Sequence, residues 1–450
     1  MYADRERLAA LTAAEARVFA AARPRSRAEW ERASQHLPGG VPMLWMRKWP
    51  GPWPVYVASG SGSRFRCLDG IDHVDLCLGD TGAMSGHAPA AAVAALTAQL
   101  QRGSTFMLPT AAAARAGELL AERFGLPEWQ FTLSATDANR TLVRYARQVT
   151  GRRKVLIHDF SYHGTVDETF ATLDGEGRVV ARRGSIGAPI PVAETTAVVQ
   201  FNDVNALERE LATGEIAAIL IEPAMTNIGI VLPEPGYLEA VRALATAHGA
   251  ILIHDETHTL SAGPGGYTAE HGLSPDAIVL GKTIAGGVPA GAFGMSAELG
   301  DRVRRSIHLE DIDVGGVGGT LAGNALSLAG IVATLGEVLV PEAWGPMVER
   351  AVQWSEGVAS VIAESGAPWQ VTRLGTRAEY SFRETAPRDG AEAAAADDFE
   401  LQQYLHLHAL NRGILMTPFH NMALMSPATT AEDIERHTSH FREAVASLYP

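Results

Sequence analysis

Ala277-Ile-Val-Leu-Gly-Lys-Thr-Ile-Ala-Gly-Gly-Val-Pro-Ala-Gly-Ala292 runs an apolar strand into one lysine and then into a glycine-rich turn. No other charge interrupts the run, so Lys282 is delivered to the end of a buried segment. Partial desolvation there favours the neutral amine, the form that attacks aldehydes. Upstream, Ala250-Ile-Leu-Ile-His-Asp-Glu-Thr-His258 carries a second apolar strand into Asp255. A buried carboxylate is costly unless it meets a cation. A lysine and an acid at the ends of two neighbouring strands fit the holding of pyridoxal phosphate: the amine bonds to the cofactor's aldehyde and the acid pairs with its pyridinium nitrogen. Singly, each residue has a plainer reading, a solvated lysine or an ordinary strand end. The pair is what favours the cofactor.

Outward from these strands, helical stretches alternate with short apolar runs. The helices are expected at Ala88–Arg102, Ala111–Phe124, Ala138–Thr150, Val204–Thr213 and Tyr237–His248, and the strands at Gln130–Leu133, Lys154–His158, Thr196–Val199, Ala217–Ile221, Ala250–His254, Ala277–Leu280 and Gly291–Met295. That alternation predicts an α/β fold with a mainly parallel sheet between helices. Residues 3–36 read as one or two amphipathic helices, and 55–78 as short strands with a turn at Asp69-Gly70. Toward the other end, helical 325–365, strands near 370–382 and a helix at Asp397–Asn411 predict a smaller α+β domain built from both chain ends. The expected division is 1–75 as part of the small domain, 76–335 as the large domain and 336–450 as its C-terminal partner. Glu384–Ala396 reads as a surface loop.

Composition bounds the function. The 450 residues are 46% hydrophobic and 20% charged, as in ordinary globular proteins, and the net charge of −14 argues against a nucleic-acid or anionic-membrane partner. Cys67 and Cys77 are too few for a disulfide framework, and no apolar run reaches the length of a membrane span, so a cytoplasmic location is expected. The start Met1-Tyr-Ala-Asp-Arg-Glu-Arg resembles neither a secretory signal nor a transit peptide. His254 and His258 bracket Asp-Glu-Thr, but a zincin needs Glu directly after the first His, and no metal is expected. Gly281-Lys-Thr283 is no P-loop, since Asp276 stands where its first glycine belongs.

Several motifs in series resemble the class III (ω-amino acid type) aminotransferases of pyridoxal-phosphate fold type I, near the glutamate-1-semialdehyde aminomutase and β-amino-acid aminotransferase branch. Ser134-Ala-Thr-Asp-Ala-Asn139 is similar to the family's Ser-Gly-Thr-Glu-Ala-Asn, with Ala135 and Asp137 as departures. Its place between strand and helix lets Ser134, Ala135 and Thr136 meet a phosphate at a helix N-terminus. Tyr162-His163-Gly164 matches an aromatic–His–Gly element, and Tyr162 would stack on the cofactor ring. Glu222-Pro223 with Asn227 resembles the family's Val-Glu-Pro…Asn, placing Glu222 near the reacting bond. Asp255-Glu-Thr-His258 departs from Asp-Glu-Val-Gln or Asp-Glu-Val-Met, so His258 stands where a residue faces the cofactor's phenolic oxygen. Gly318-Gly-Thr-Leu-Ala-Gly-Asn324 resembles a loop that reaches across a dimer, Thr320 binding the partner's cofactor phosphate.

The resemblance implies a homodimer with shared active sites. It implies a transaminase in which Lys282 carries the cofactor and moves protons, shuttling an amino group from a β-/ω-amino acid or amine to a keto acid or aldehyde in ping-pong fashion. The alternatives are an intramolecular 2,1-aminomutase and a non-catalytic binding protein on the same fold. Intact Lys282 and Asp255 argue against the last. For a substrate carboxylate the candidates are Arg47 and Arg377, and Trp45 points to an apolar substrate side chain.

Overall fold

Seven apolar runs of four to six residues form one sheet: β1 (Glu128–Thr132), β2 (Lys154–His158), β3 (Thr196–Val199), β4 (Ile216–Ile221), β5 (Ile251–Asp255), β6 (Ala277–Leu280) and β7 (Gly291–Met295). The protein is seen here as a computed structural model that describes residues 4–187, 191–306 and 318–449. Across the sheet the order is β1-β7-β6-β5-β4-β2-β3. Only β7 runs against its neighbours, pairing antiparallel with β1 and β6, while the other pairs are parallel. Every residue of β3 to β7 is buried, which is why these runs read as unbroken apolar stretches rather than alternating ones. Strand ends match the sequence expectation to within two residues.

The helix Ala135–Thr150 lies on this sheet because its apolar face is strongly one-sided. Leu142, Val143 and Ala146 pack with Leu220, Ile253, Val279 and Phe293 in one core. Tyr145 meets Phe293 edge-on at 6.0 Å.

The chain divides into two compact units. One comprises Met1–Pro89, Glu342–Ala386 and Ala396–Pro450; the other, which bears the sheet, comprises Ala90–Pro341 and Pro387–Ala395. The borders thus fall after Pro89 and Pro341, where the sequence reading drew them after 75 and 335. The segment read as a surface loop contains a short helix, Gly390–Ala395, and Arg388 ties it to the sheet-bearing unit by an ion pair with Glu234 at 2.7 Å.

The other unit joins the chain ends. Helix Arg5–Ala22 packs on helix Phe399–Asn411, and Glu15 receives His408 and Arg412 at 3.0 Å each and Asn411 at 2.6 Å. Burial acts to raise the Glu15 carboxyl, but these three donors prevail and bring it down to about 2. Residue 3, where the first helix was expected to begin, lies outside the described residues. Among those described, no single helix is long and apolar enough to cross a membrane.

Candidate active site

Strands β5 and β6 are parallel neighbours with Asp255 opposite Val279, so Asp255 and Lys282 both stand at the C-terminal edge of the sheet, where α/β proteins bind ligands. Gly281 is extended, and Lys282 then turns into the left-handed region at φ 53° to open the short helix Lys282–Ala285. A non-glycine residue there costs about 1 kcal/mol, a strain that concentrates at functional sites. The Lys282 side chain is half-buried, and its Nζ lies 2.8 Å from Nε2 of His258.

Asp255 is buried, and both its oxygens are engaged. Oδ2 accepts from Asn139 Nδ2 at 2.8 Å and from His163 Nδ1 at 2.9 Å; Oδ1 accepts from the Thr257 amide at 3.1 Å and hydroxyl at 2.6 Å. Burial pushes the carboxyl up, but the hydrogen bond and charge of His163, helped by Thr257 and Asn139, hold it below the usual carboxylate range. A carboxylate kept ionised in an apolar setting is what a pyridinium nitrogen requires. Two neighbours remain incomplete: Asn139 Oδ1 and His163 Nε2 are buried without a hydrogen-bond partner among the described residues. Buried polar atoms of this kind call for a ligand or water to satisfy them.

Glu222, at the end of β4, is also buried, accepting from the Tyr162 amide at 3.3 Å and the Thr226 hydroxyl at 2.5 Å. Burial raises its carboxyl above the ordinary range. Glu256 behaves alike: burial raises it while Thr259, Tyr267 and Thr268 donate to it, anchoring the chain that follows β5.

The anion end is built from the helix Ala135–Thr150. Ser134 caps it, its hydroxyl accepting from the Asp137 amide at 3.2 Å, and the first-turn amides have no intrahelical acceptor. The Thr136 hydroxyl accepts from the Thr165 amide at 3.1 Å and lies so close to Gly164 that a Cβ there would meet it at 2.1 Å. Ala135, the departure from the family's glycine, abuts Gly281, where an added Cβ would meet its methyl at 2.9 Å. Tyr162 is 38% exposed. The loop before it is pinned by Asn227, which donates to the carbonyl of left-handed Phe160 at 2.9 Å. Thr320 is exposed beside a cavity of about 270 Å³ lined by Phe106, Met107 and Gly323.

Trp45, Arg47 and Arg377 belong to the other unit. Trp45 stacks on Trp49 at 5.5 Å and meets Phe419 edge-on at 5.6 Å, while the exposed Arg47 lies over the Trp30 ring at 5.0 Å. Arg377 heads its strand as expected but is wholly buried, donating to the Thr81 hydroxyl at 2.7 Å with Asp80 at 3.6 Å. It braces a run of left-handed backbone, Leu78 to Thr81.

Two residues escaped the sequence reading. Asn139 lay inside a quoted motif, yet nothing local says that its amide reaches Asp255. Arg182, just past a short hairpin, donates to the Ser161 carbonyl at 2.5 Å, and its Nε is buried without an acceptor among the described residues. Burial lowers its pKa against the pull of nearby Asp159 and Glu222. No local pattern marks Arg182 as a site residue.

These residues fit pyridoxal phosphate: a capped helix start for its phosphate, an ionised acid for its nitrogen, and an amine for its aldehyde. Comparison with known proteins agrees. A model of the class-III aminotransferases matches residues 46–445. Glutamate-1-semialdehyde 2,1-aminomutase of Sorangium cellulosum is 33% identical over 434 residues, covering 94% of this chain and 97% of that one. A solved glutamate-1-semialdehyde-aminomutase from Pseudomonas aeruginosa PAO1 is 45% identical with a TM-score of 0.98, covering 100% of both chains. It is also known as a lysine-to-alanine variant in complex with PMP, the amino form of the cofactor. The β-phenylalanine aminotransferase of Variovorax paradoxus is 27% identical with a TM-score of 0.86, covering 98% of this chain and 97% of that one. The chain belongs to the class-III aminotransferase family, pyridoxal-phosphate enzymes of fold type I.

Proposed function

We propose that the protein relocates an amino group within one small amino-carbonyl acid, as a 2,1-aminomutase of the glutamate-1-semialdehyde type. The observation that carries this reading is the end-to-end similarity, at 45% identity, to a solved protein named for that reaction. The sequence reading put a transaminase first and the mutase second; the relatives reverse that order. Transfer to a separate keto acid is the second reading, favoured by the β-phenylalanine aminotransferase likeness.

Both readings use the same residues. Pyridoxal phosphate, when bound, supplies an electron-accepting ring that stabilises the charge left on a substrate carbon after proton loss. Asp255 keeps the ring nitrogen protonated, and Asn139 and His163 hold Asp255 in place. Lys282 would form the covalent link and, once freed, would carry a proton between the two carbons, one of the substrate and one of the cofactor, that flank the transferred nitrogen. Ser134, Ala135 and Thr136 take the phosphate, Tyr162 covers one ring face, and Glu222 bounds the site beside it. For a substrate carboxylate we assign Arg182, whose buried Nε lacks an acceptor among the described residues.

The assembly we infer is a homodimer. Met107 and Leu108 are 76% and 75% exposed and the adjoining Phe106 is exposed too, an apolar patch suited to a second copy. Thr320 on the same rim would reach the partner's site. Cys67 and Cys77 are buried thiols, in keeping with a reducing cytosol.

The deciding experiment supplies the amino form of the holoenzyme with glutamate 1-semialdehyde and no second substrate. An isomer of unchanged mass, with the amino group moved from carbon 2 to carbon 1, is expected. Turnover only when an external keto acid is added would replace the mutase by the transaminase.

A further inference from the structure

We propose that His258 is the proton-carrying partner of Lys282, an inference that rests on the cofactor reading above and deepens it. The 2.8 Å separation of His258 Nε2 and Lys282 Nζ lets the two share one hydrogen. With its own hydrogen on Nδ1, a neutral imidazole accepts from the ammonium; as imidazolium it donates to the free amine. In the family pattern this position is Gln or Met, and neither exchanges a proton near neutral pH, whereas histidine does.

The surroundings leave this task to His258. Other titratable groups stand at the neighbouring strand ends: Asp255 ending β5 and Glu256 after it, Glu222 after β4, His163 after β2, and Asp137 with Arg140 on the helix. Asp255 is engaged by Asn139, His163 and Thr257, Glu222 by Tyr162 and Thr226, and Glu256 by Thr259, Tyr267 and Thr268. Asp137 pairs with Ser134 and lies 3.6 Å from Arg140. His258 holds the amine directly. It is 9% exposed and precedes the short helix Thr259–Ala262.

The proton balance is simple. Lys282 must be neutral to attack the aldehyde carbon, and neutral again to remove a proton from a substrate carbon. In each case one proton leaves Nζ and arrives on His258 Nε2. The imidazolium returns it when the amine must become a donor, so the pair conserves one proton and needs no other reagent.

The test follows capture of pyridoxal phosphate by the apoprotein, read as absorbance of the lysine-bound cofactor, from about pH 5 to about pH 9, a span that covers histidine titration. The wild-type rate is expected to bend once within that span, where the imidazole changes charge. His258→Gln, which still hydrogen-bonds but carries no proton, should keep the melting temperature, lose the bend, and capture about tenfold or more slowly at pH 7. Should that variant not fold, His258→Met carries the same comparison. Profiles of variant and wild type that superimpose would overturn the proposal, since a packing role lowers rates without changing their shape. A wild-type chain that captures no cofactor at any pH would instead remove the cofactor reading, and the inference with it.

Discussion

Asp255 sits where burial alone would neutralise it, and four donated hydrogen bonds keep it charged. Asp255→Asn keeps the shape and removes the charge. Cofactor capture by Lys282 should survive, while amino transfer falls at least about a hundredfold, a loss on the scale of one misplaced electrostatic group. Stopped-flow absorbance separates the two, and undiminished transfer would deny Asp255 its role. Arg182→Gln is argued from its buried, unsatisfied Nε. Because hydrogen bonds to charged groups contribute about 1.5–3 kcal/mol, KM for carboxylate substrates should rise about tenfold or more, with little change for amines lacking a carboxylate. An equal rise for both would mark Arg182 as merely structural. Lys282 and Asp255 were legible because each terminates its own apolar run. Asn139, Arg182 and the contact of His258 with Lys282 were not, because sequence separations of 116, 21 and 24 residues join them to their partners. Only the folded sheet brings such pairs together.

At the level of elements, the strands of the large sheet were readable because burial on both faces writes an uninterrupted apolar run. The antiparallel course of β7 was not readable: Gly291–Met295 is a short apolar run buried throughout, like the parallel strands, and direction depends on the preceding connection. The helix Gly390–Ala395 was hidden for another reason. Its alanines favour helix, but the bond from Arg388 to Glu234 that fixes it spans 154 residues. The loops at 105–109 and 318–324 carry the apolar rim assigned to a second copy. Met107 is left-handed at φ 55° as well as exposed, a strained conformation that contact with a partner would stabilise. Replacing Met107 and Leu108 together by serine should shift the protein toward monomer in sedimentation while far-UV dichroism stays unchanged. An unaltered sedimentation coefficient would place the interface elsewhere.

Across the whole molecule, buried histidines set the acid limit of stability. Burial lowers His158 and His254 in the sheet-bearing unit, and His406 and His437 in the other, from 6.5 to about 3. The unfolded chain therefore binds protons that the folded chain refuses, so stability falls as pH drops below the unfolded value of 6.5. From pH 7 to pH 5 each such histidine costs about 2 kcal/mol, and two of them consume much of a typical net stability. Glu222 and Glu256, raised by burial, act in the opposite direction and offset part of this at lower pH. The melting temperature should drop between pH 7 and pH 5, and His406→Phe should flatten the slope. A flat profile in the wild type would contradict the burial of these rings.

The clasp of Glu15 by His408, Asn411 and Arg412 has a consequence for biosynthesis. Helix Arg5–Ala22 is translated almost 400 residues before these partners, tens of seconds at elongation speeds of roughly 5–20 residues per second. Throughout that wait Phe19 lacks Leu407 and Leu410, which complete its cluster with Trp53. Nascent chains should consequently lean on chaperones until helix Phe399–Asn411 emerges, and a stop codon near position 395 should yield insoluble product even though all seven strands of the large sheet are intact.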